Sequence, residues 1–315
     1  MFQTALRSAL PVVEVPSFPP LHVPETVTCL DGLARRAGAL ARTFPAALYE
    51  TLVDFGDDSG EAGAVVLRPL PLGEVPPTPV TPTMATSKSW ASEALLLAAA
   101  RRLGQPVGYA PEHGGDLVQN IVPVATSASR QISTSSRVTL MFHTETAFHP
   151  FRPRYLLLLC LRGDPAARTT LAASPALVGA LPAQHRRVLF EPRFRTAVDE
   201  SHRPDGRQYL GAPRPVFEGP SDRPLMVFDA DLMVGIDGEA TAALEALADV
   251  VEELHTSVVL EAGDLLVVDN YRVVHGRSSF TPRFDGTDRW LQRSFVISDL
   301  ATCATVREGR VLASA

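Results

Sequence analysis

The stretch Arg137-Val-Thr-Leu-Met-Phe-His143-Thr-Glu145 gives the strongest indication of how this chain folds. Every second residue from Val138 to Phe142 is apolar, which is the period of a β-strand. Residues two apart in a strand share a face, so His143 and Glu145 are expected to point to the same side. An imidazole and a carboxylate placed in this way can reach one metal ion.

A second histidine, His275, follows Glu145 by 130 positions (275 − 145) and lies just beyond the strand-like run Leu265-Leu-Val-Val268. Two imidazoles and one carboxylate hold a non-haem Fe(II) on one face and leave positions open for substrates. Zinc also accepts these ligands. Arg289 and Arg293 follow downstream, and their guanidinium groups can bind anions near such a metal.

Around these residues the sequence resembles the clavaminate synthase-like branch of the Fe(II)/2-oxoglutarate oxygenases, which includes hydroxylases of free arginine, asparagine and lysine. The resemblance covers about Leu103 to Val296. It is carried by Leu103-Gly-Gln-Pro-Val-Gly-Tyr109, Asp116-Leu-Val-Gln-Asn-Ile-Val-Pro123, the block His143 to Thr170, and the block from Gly263 through Arg293. It implies a mainly β fold with flanking helices, a double-stranded β-helix or jelly roll. It also implies that His143, Glu145 and His275 form the catalytic Fe(II) site, with 2-oxoglutarate and O2 as co-substrates.

Bulk composition agrees with a soluble enzyme that acts on a small molecule. The chain has 315 residues, 45% of them hydrophobic and 20% charged, with a formal net charge of −6. That charge argues against nucleic acid or an anionic membrane as the main partner. Three widely spaced cysteines predict a reduced, cytoplasmic protein. We see neither a secretory signal nor the ~20 consecutive apolar residues of a membrane span.

The chain is expected to form one oxygenase domain, 1–315. Helices and proline-rich loops of residues 1–104 would support a jelly-roll core at 105–300, in which short β-like runs recur. The segment 162–223 is rich in Pro and Arg and has weak strand signal. We predict that it is an insert that covers the mouth of the barrel as a substrate lid.

The resemblance implies that Arg289 binds the distal carboxylate of 2-oxoglutarate, assisted by the hydroxyl of Thr170. An arginine suits this role because its guanidinium meets a carboxylate through two hydrogen bonds. Thr169 takes the place of Thr170 if the register is shifted by one residue. A surface salt-bridge arginine is the alternative for Arg289.

A free amino-acid substrate would be held by a second set of residues. Arg293 lies four residues after Arg289, on the same strand face and about 13 Å away, and is predicted to bind the substrate carboxylate. The resemblance places Gln119 and Glu145 near the α-amino group and Ser133 near the substrate backbone. The alternative for Gln119 is an ordinary amide at a strand end, and the alternative for Arg293 is an exposed arginine at a strand end. The run Ser127–Ser136 offers several other serines.

Asp229 and Asp231 indicate the side chain of the substrate. In the arginine-hydroxylating relatives, two acidic residues spaced in this way clamp the guanidinium, although their distance to the distal histidine differs. A turn or helix cap is the alternative. We therefore expect a hydroxylase of L-arginine or a close analogue such as citrulline, with lysine next and asparagine as the polar alternative, placed in natural-product biosynthesis by family analogy. A non-catalytic binding jelly roll and a zinc hydrolase are the competing classes.

Overall fold

The computed structural model describes residues 9–83, 88–202 and 207–313. These residues form six α-helices: α1 (Leu30–Ala41), α2 (Ala46–Asp57), α3 (Ala91–Leu103), α4 (Ser174–Ala180), α5 (Ala183–Leu189) and α6 (Gly238–Leu254). The strands of the first half are β1 (Val12–Glu14), β2 (Ala64–Arg68), β3 (Gln105–Tyr109), β4 (Gln119–Ile121), β5 (Leu140–His143), β6 (Tyr155–Arg162), β7 (Arg168–Ala173) and β8 (Phe194–Thr196). Those of the second half are β9 (Phe217–Glu218), β10 (Leu225–Met226), β11 (Met233–Gly235), β12 (Thr256–Val259), β13 (Leu265–Asp269), β14 (Val273–Arg277), β15 (Trp290–Ile297), β16 (Arg307–Glu308) and β17 (Val311–Leu312).

Two sheets form the body of the fold. The major sheet has the order β1-β2-β13-β6-β15-β3-β17-β16, and β4 also pairs with β15. The minor sheet has the order β12-β7-β14-β5. One cluster of buried residues joins the facing sides of both sheets, with Leu158 and Leu266 from the major sheet and Leu171 and Val273 from the minor sheet. The sheets therefore enclose one core, as in a jelly roll.

Strand β6 explains why some strands are apolar throughout. Leu156 and Leu158 point into the core between the sheets, whereas Leu157 and Leu159 point outward into a second cluster that contains the buried face of α3. Because the major sheet is covered on both sides, its central strands need apolar residues at every position. Helices α1 to α3 thus cover the outside of the major sheet.

The segment 162–223 differs from the lid predicted for it. It contributes β7, an interior strand of the minor sheet that pairs with both β12 and β14. Its helices α4 and α5 pack with α6 in a buried cluster that also contains Ala172 of β7 and Val274 of β14. They cover the outside of the minor sheet, and the segment reaches the cavity described below only through Thr169 of β7 and a short stretch around 199–202.

Among the described residues, no helix combines the length and the apolar character needed to cross a lipid bilayer.

Candidate metal centre and active site

Three side chains converge between the sheets in the arrangement of a metal site. His143 ends β5 and lies opposite His275 of β14 in the antiparallel register, with the two ring centroids 4.4 Å apart. Glu145 follows β5, and its Oε2 lies 3.4 Å from Nε2 of His275. One ligand atom from each of the three residues lies within 4.8 Å of the other two. This spacing fits a single ion.

The protonation states of the three side chains also suit a metal. Nδ1 of His143 donates to the backbone oxygen of Met141 at 2.9 Å, which leaves Nε2 of His143 as the free donor atom. Burial and the neighbouring His143 lower the pKa of His275 and favour its neutral form. Burial alone would raise the pKa of Glu145, but Arg293 and the two histidines hold it well below its usual range. The set of two imidazoles and one carboxylate is one that binds Fe(II).

The triad opens onto a cavity of about 390 Å³ that lies between the sheets. Ile121, Leu156, Leu158 and Leu291 form its apolar wall on the side of the major sheet. Charged side chains line the remaining wall; the part around Arg277 and Arg289 is called the basic end here, and the part around Asp229 and Asp231 the acidic end. The cavity is large enough for small organic molecules.

Arg289, immediately before β15, supplies the basic end of the cavity. Its residue surface is 6% exposed, and within the described ranges it has neither a hydrogen-bond acceptor nor an ion-pair partner. Burial lowers its pKa, and Cys160 and Asp164 only partly offset this effect. A buried guanidinium without a partner is costly, and an anion that enters the cavity would relieve that cost.

Thr169, rather than Thr170, faces this end of the cavity. In the register of the minor sheet, Thr169 lies opposite Arg277 and lines the cavity, whereas Thr170 lies opposite Gly276. A β-carbon built on Gly276 would point away from the core and come within 3.0 Å of Oγ1 of Thr170. The hydroxyl of Thr170 is therefore on the outer face of β7. The expectation for Thr170 is corrected by one residue, to the alternative that the sequence left open.

Arg293 occupies the centre of the network next to the triad. Its Nη1 donates to Oε1 of Glu145 at 3.2 Å, and its Nε and Nη2 donate to Oε1 of Gln119 at 3.0 and 2.6 Å. Nη2 also donates to Glu112. The guanidinium is thus buried between two carboxylates, one of which belongs to the triad.

Gln119 and Ser133 occupy different positions relative to the cavity. Gln119 lies opposite Arg293 in the β4–β15 pairing and is not among the residues that line the cavity. It contacts Arg293 from behind, which differs from the predicted contact with a substrate amino group. Ser133 does line the cavity, in the loop before β5. Arg277 fixes that loop by donating to Ser135 O at 2.6 Å and Val138 O at 3.1 Å.

Glu112 is a cavity residue that sequence reasoning missed. It lies between β3 and the 3₁₀ turn His113–Gly115, lines the cavity, and pairs with Arg293. Its Oε2 is buried and accepts no hydrogen bond from the described residues. Burial raises the pKa of Glu112 to about 7, although Arg293 opposes the shift. In the sequence Ala110-Pro-Glu-His-Gly-Gly115 it resembles any exposed loop acid, and only its place between two matched blocks could have drawn attention to it.

Asp229 and Asp231 lie at the acidic end of the cavity. Asp229 forms a β-bridge with His143, and its Oδ1 accepts from the backbone N–H groups of Asp231 at 2.9 Å and Leu232 at 2.8 Å. One oxygen of Asp229 therefore caps a turn, and the other is available to the cavity. Burial raises the pKa of Asp229 despite the nearby His143. Asp231 is exposed. Asp199 and Glu200 also line the cavity, and Glu200 forms an ion pair with Arg130, which lines it too.

Comparison with known proteins agrees with this architecture. The family model described as "Taurine catabolism dioxygenase TauD, TfdA family" matches residues 63–295. L-lysine 3-hydroxylase of Catenulispora acidiphila is 36% identical over 286 residues, which cover 89% of this chain and 80% of that protein. L-asparagine oxygenase of Streptomyces coelicolor is 39% identical over 278 residues, with 86% and 83% covered.

Solved structures give the same result. An asparagine oxygenase in complex with Fe(II), 2S,3S-3-hydroxyasparagine and succinate has a TM-score of 0.87 at 36% identity, covering 92% of this chain and 93% of that one. The non-haem iron oxygenase OrfP, in complex with Fe, succinate and (3S)-hydroxy-L-Arg, has a TM-score of 0.81 at 33% identity, covering 90% and 91%. The predicted jelly-roll fold is confirmed. The chain belongs to the TauD/TfdA family and is an Fe(II)/2-oxoglutarate-dependent dioxygenase.

Proposed function

We propose that this oxygenase hydroxylates a free L-amino acid with a basic or ureido side chain, with L-arginine or a close analogue such as citrulline as the first candidate. The observation that carries the proposal is the acidic end of the cavity. Asp229 and Asp231 line it, and the pKa of Asp229 is raised by burial and by the charge of Asp231. Carboxylates that are crowded together repel one another, and a cationic side chain relieves that repulsion.

His143, Glu145 and His275 would hold the iron, and Arg289 would bind the distal carboxylate of 2-oxoglutarate with Thr169 beside it. Bound Fe(II), together with 2-oxoglutarate and O2, supplies the oxidation that converts a C–H bond to an alcohol while 2-oxoglutarate becomes succinate and CO2. The protein positions the two organic molecules and keeps water from the apolar wall. The buried, unpaired state of Arg289 supports this assignment.

The amino and carboxyl groups of the substrate would bind around Arg293. The carboxylate would bind the guanidinium of Arg293, and the α-ammonium would bind the unpaired Oε2 of Glu112 and the carboxylate of Glu145. Gln119 would orient Arg293 from behind, and Ser133 would contact the substrate from the loop before β5. A zwitterion thereby adds one charge of each sign and leaves the net charge of this network unchanged.

The side chain of the substrate would extend from Arg293 past the triad to Asp229 and Asp231. L-Lysine is a second cation that fits this charge. L-Asparagine is a further candidate, because both the sequence and the structure resemble an asparagine oxygenase. In such a substrate the amide would bind Asp229 through its N–H groups. By analogy with its family, we place the product in natural-product biosynthesis.

A succinate assay across the free amino acids tests the proposal. The enzyme, loaded with Fe(II) and 2-oxoglutarate, is expected to form succinate when arginine or citrulline is present. Mass spectrometry should show one molecule of a product 16 Da heavier than the amino acid for each molecule of succinate. Succinate without an oxidised amino acid is the uncoupled background. Coupled turnover that is faster with asparagine than with any basic or ureido amino acid would overturn the assignment to such side chains.

A further inference from the structure

Glu145 lies outside regular secondary structure, unlike the two histidines of the triad. Strand β5 ends at His143, and Thr146 adopts a left-handed conformation with φ of 48°. In the described chain, the backbone of Glu145 makes no hydrogen bond to another backbone group. Glu145 is buried, with only 7% of its surface exposed, so its backbone N–H and C=O groups need hydrogen-bond partners from side chains.

The side chain of Asn270 supplies both partners. Its Oδ1 accepts from the backbone N–H of Glu145 at 2.6 Å, and its Nδ2 donates to the backbone oxygen of Glu145 at 3.1 Å. The second N–H of Nδ2 donates to Pro153 O at 2.9 Å. The amide orientation is unambiguous, because an N–H of Glu145 must face an oxygen. Asn270 thus pairs with Glu145 as a neighbouring strand would.

Asn270 is itself held firmly. It is 0% exposed and lies between β13 and β14. Its backbone N–H donates to Arg154 O at 2.9 Å, and its backbone oxygen accepts from Nη1 of Arg152 at 2.9 Å. The guanidinium of Arg152 in turn stacks on the ring of Tyr271 at 4.1 Å.

The position of Asn270 in the chain links it to the distal histidine, because His275 follows five residues later on β14. One side chain therefore connects the turn that carries Glu145 to the connection between β13 and β14, the strand that carries His275. We propose that Asn270 is a positioning residue, which sets the place of the Glu145 carboxylate relative to His275 and thereby the affinity for the metal. This inference rests on the proposed metal site.

The test compares Asn270→Ala with Asn120→Ala. Asn120 is a matched control, because its side chain also makes three hydrogen bonds, to Pro82 O, Nε1 of Trp290 and Nε2 of Gln292, and contacts none of the triad. Co(II) affinity is measured by equilibrium dialysis, and the visible absorption of bound Co(II) reports the ligand geometry. Partners that orient metal ligands typically contribute 10- to 100-fold in affinity. We expect Asn270→Ala to bind Co(II) about 10-fold or more weakly with an altered spectrum, and Asn120→Ala to match the wild type.

Two further proteins keep the outcomes distinguishable. Asn270→Asp has the same shape as the wild type and keeps the acceptor for the Glu145 N–H, but it places an oxygen against Glu145 O and Pro153 O. This variant replaces Asn270→Ala in the test if the alanine variant does not fold. Weakened Co(II) binding is expected for it as well. His143→Ala tests the metal site itself: if it binds Co(II) like the wild type, the proposed site fails. If His143→Ala loses Co(II) and folded Asn270 variants bind it with wild-type affinity and spectrum, only the role of Asn270 is overturned.

Discussion

Arg293 is the residue through which the metal site and the substrate site meet. It donates to Glu145 of the triad and to Glu112 across the cavity. With both carboxylates ionised, this network carries one negative charge in excess, which attracts the ammonium group of a substrate whose carboxylate binds Arg293. The proposed contact between the α-ammonium and Glu112 is strongest when Glu112 is ionised.

The state of Glu112 gives a prediction about pH. Burial raises the pKa of Glu112 to about 7, so the carboxylate is ionised above that pH and neutral below it. The KM for the amino acid, at saturating 2-oxoglutarate, is expected to rise about tenfold between pH 8 and pH 6, following the ionised fraction. Steady-state kinetics at constant ionic strength measure it.

The variant Glu112→Gln provides the comparison, since it keeps the shape but has no titrating charge. Its KM should be high and nearly independent of pH over the same interval. A wild-type KM that does not change from pH 6 to pH 8, or a variant that follows the wild-type profile, would contradict a role for the charge of Glu112.

At the scale of the element, strand period decides which side chains can take part in the reaction. In β14, His275 and Arg277 point into the cavity, whereas Val274 packs in the outer cluster. A side chain at the position of Gly276 would point to the outer face as well. In β7, Thr169 shares the inner face with Leu171. A shift of one residue exchanges the two faces of a strand, so adjacent threonines have different surroundings.

This difference between adjacent threonines can be tested with a matched pair of variants. Thr169→Val is expected to raise the KM for 2-oxoglutarate several-fold, because it removes a hydroxyl beside Arg289, at a loss of about 1 kcal/mol. Thr170→Val makes the same chemical change on the outer face and should leave this KM unchanged. Titration of 2-oxoglutarate at fixed amino acid measures both. The reverse ranking of the two variants would show that the register of β7 is misassigned.

The sequence predicted elements well where one pattern dominated. The continuous apolar run of β6 and the alternation in β5 were recognisable, because each follows from how many faces of the strand are covered. Residues 162–223 were assigned to a lid, since their many Pro and Arg residues obscured β7 and the two short helices. The pairing of β7 with strands 85 to 108 residues away (256 − 171 and 277 − 169) is a tertiary effect that local composition does not contain.

At the scale of the whole molecule, the cavity is polarised although the chain has a modest net charge of −6. Arg289 lies at the end proposed for 2-oxoglutarate, and Asp229 and Asp231 lie at the end proposed for the side chain of the amino acid. Two organic molecules of different charge can therefore be sorted to opposite sides of one metal site. Electrostatic complementarity of this kind contributes mainly to specificity.

The candidate site was predictable to the extent that residue chemistry is specific. Two histidines, a carboxylate and two arginines at the right spacing have few alternative explanations, whereas a single glutamate in a loop, such as Glu112, has many. The orientation of Gln119 behind Arg293 depends on the pairing of β4 with β15, which the sequence does not specify. The sequence left two interpretations of Asp229, a turn cap and a substrate contact. The structure is compatible with both, because one oxygen caps a turn and the other is available to the cavity.

The central claim, that the acidic end selects a basic amino acid, is tested most directly by the double variant Asp229→Asn, Asp231→Asn. Asparagine keeps an acceptor for the turn around Asp229 but has no charge. We predict that kcat/KM for arginine falls about 30-fold or more, equivalent to the ~2 kcal/mol of a lost charged contact, while the dissociation constant of 2-oxoglutarate stays unchanged. An unchanged kcat/KM for arginine and for lysine in the folded double variant would contradict the claim.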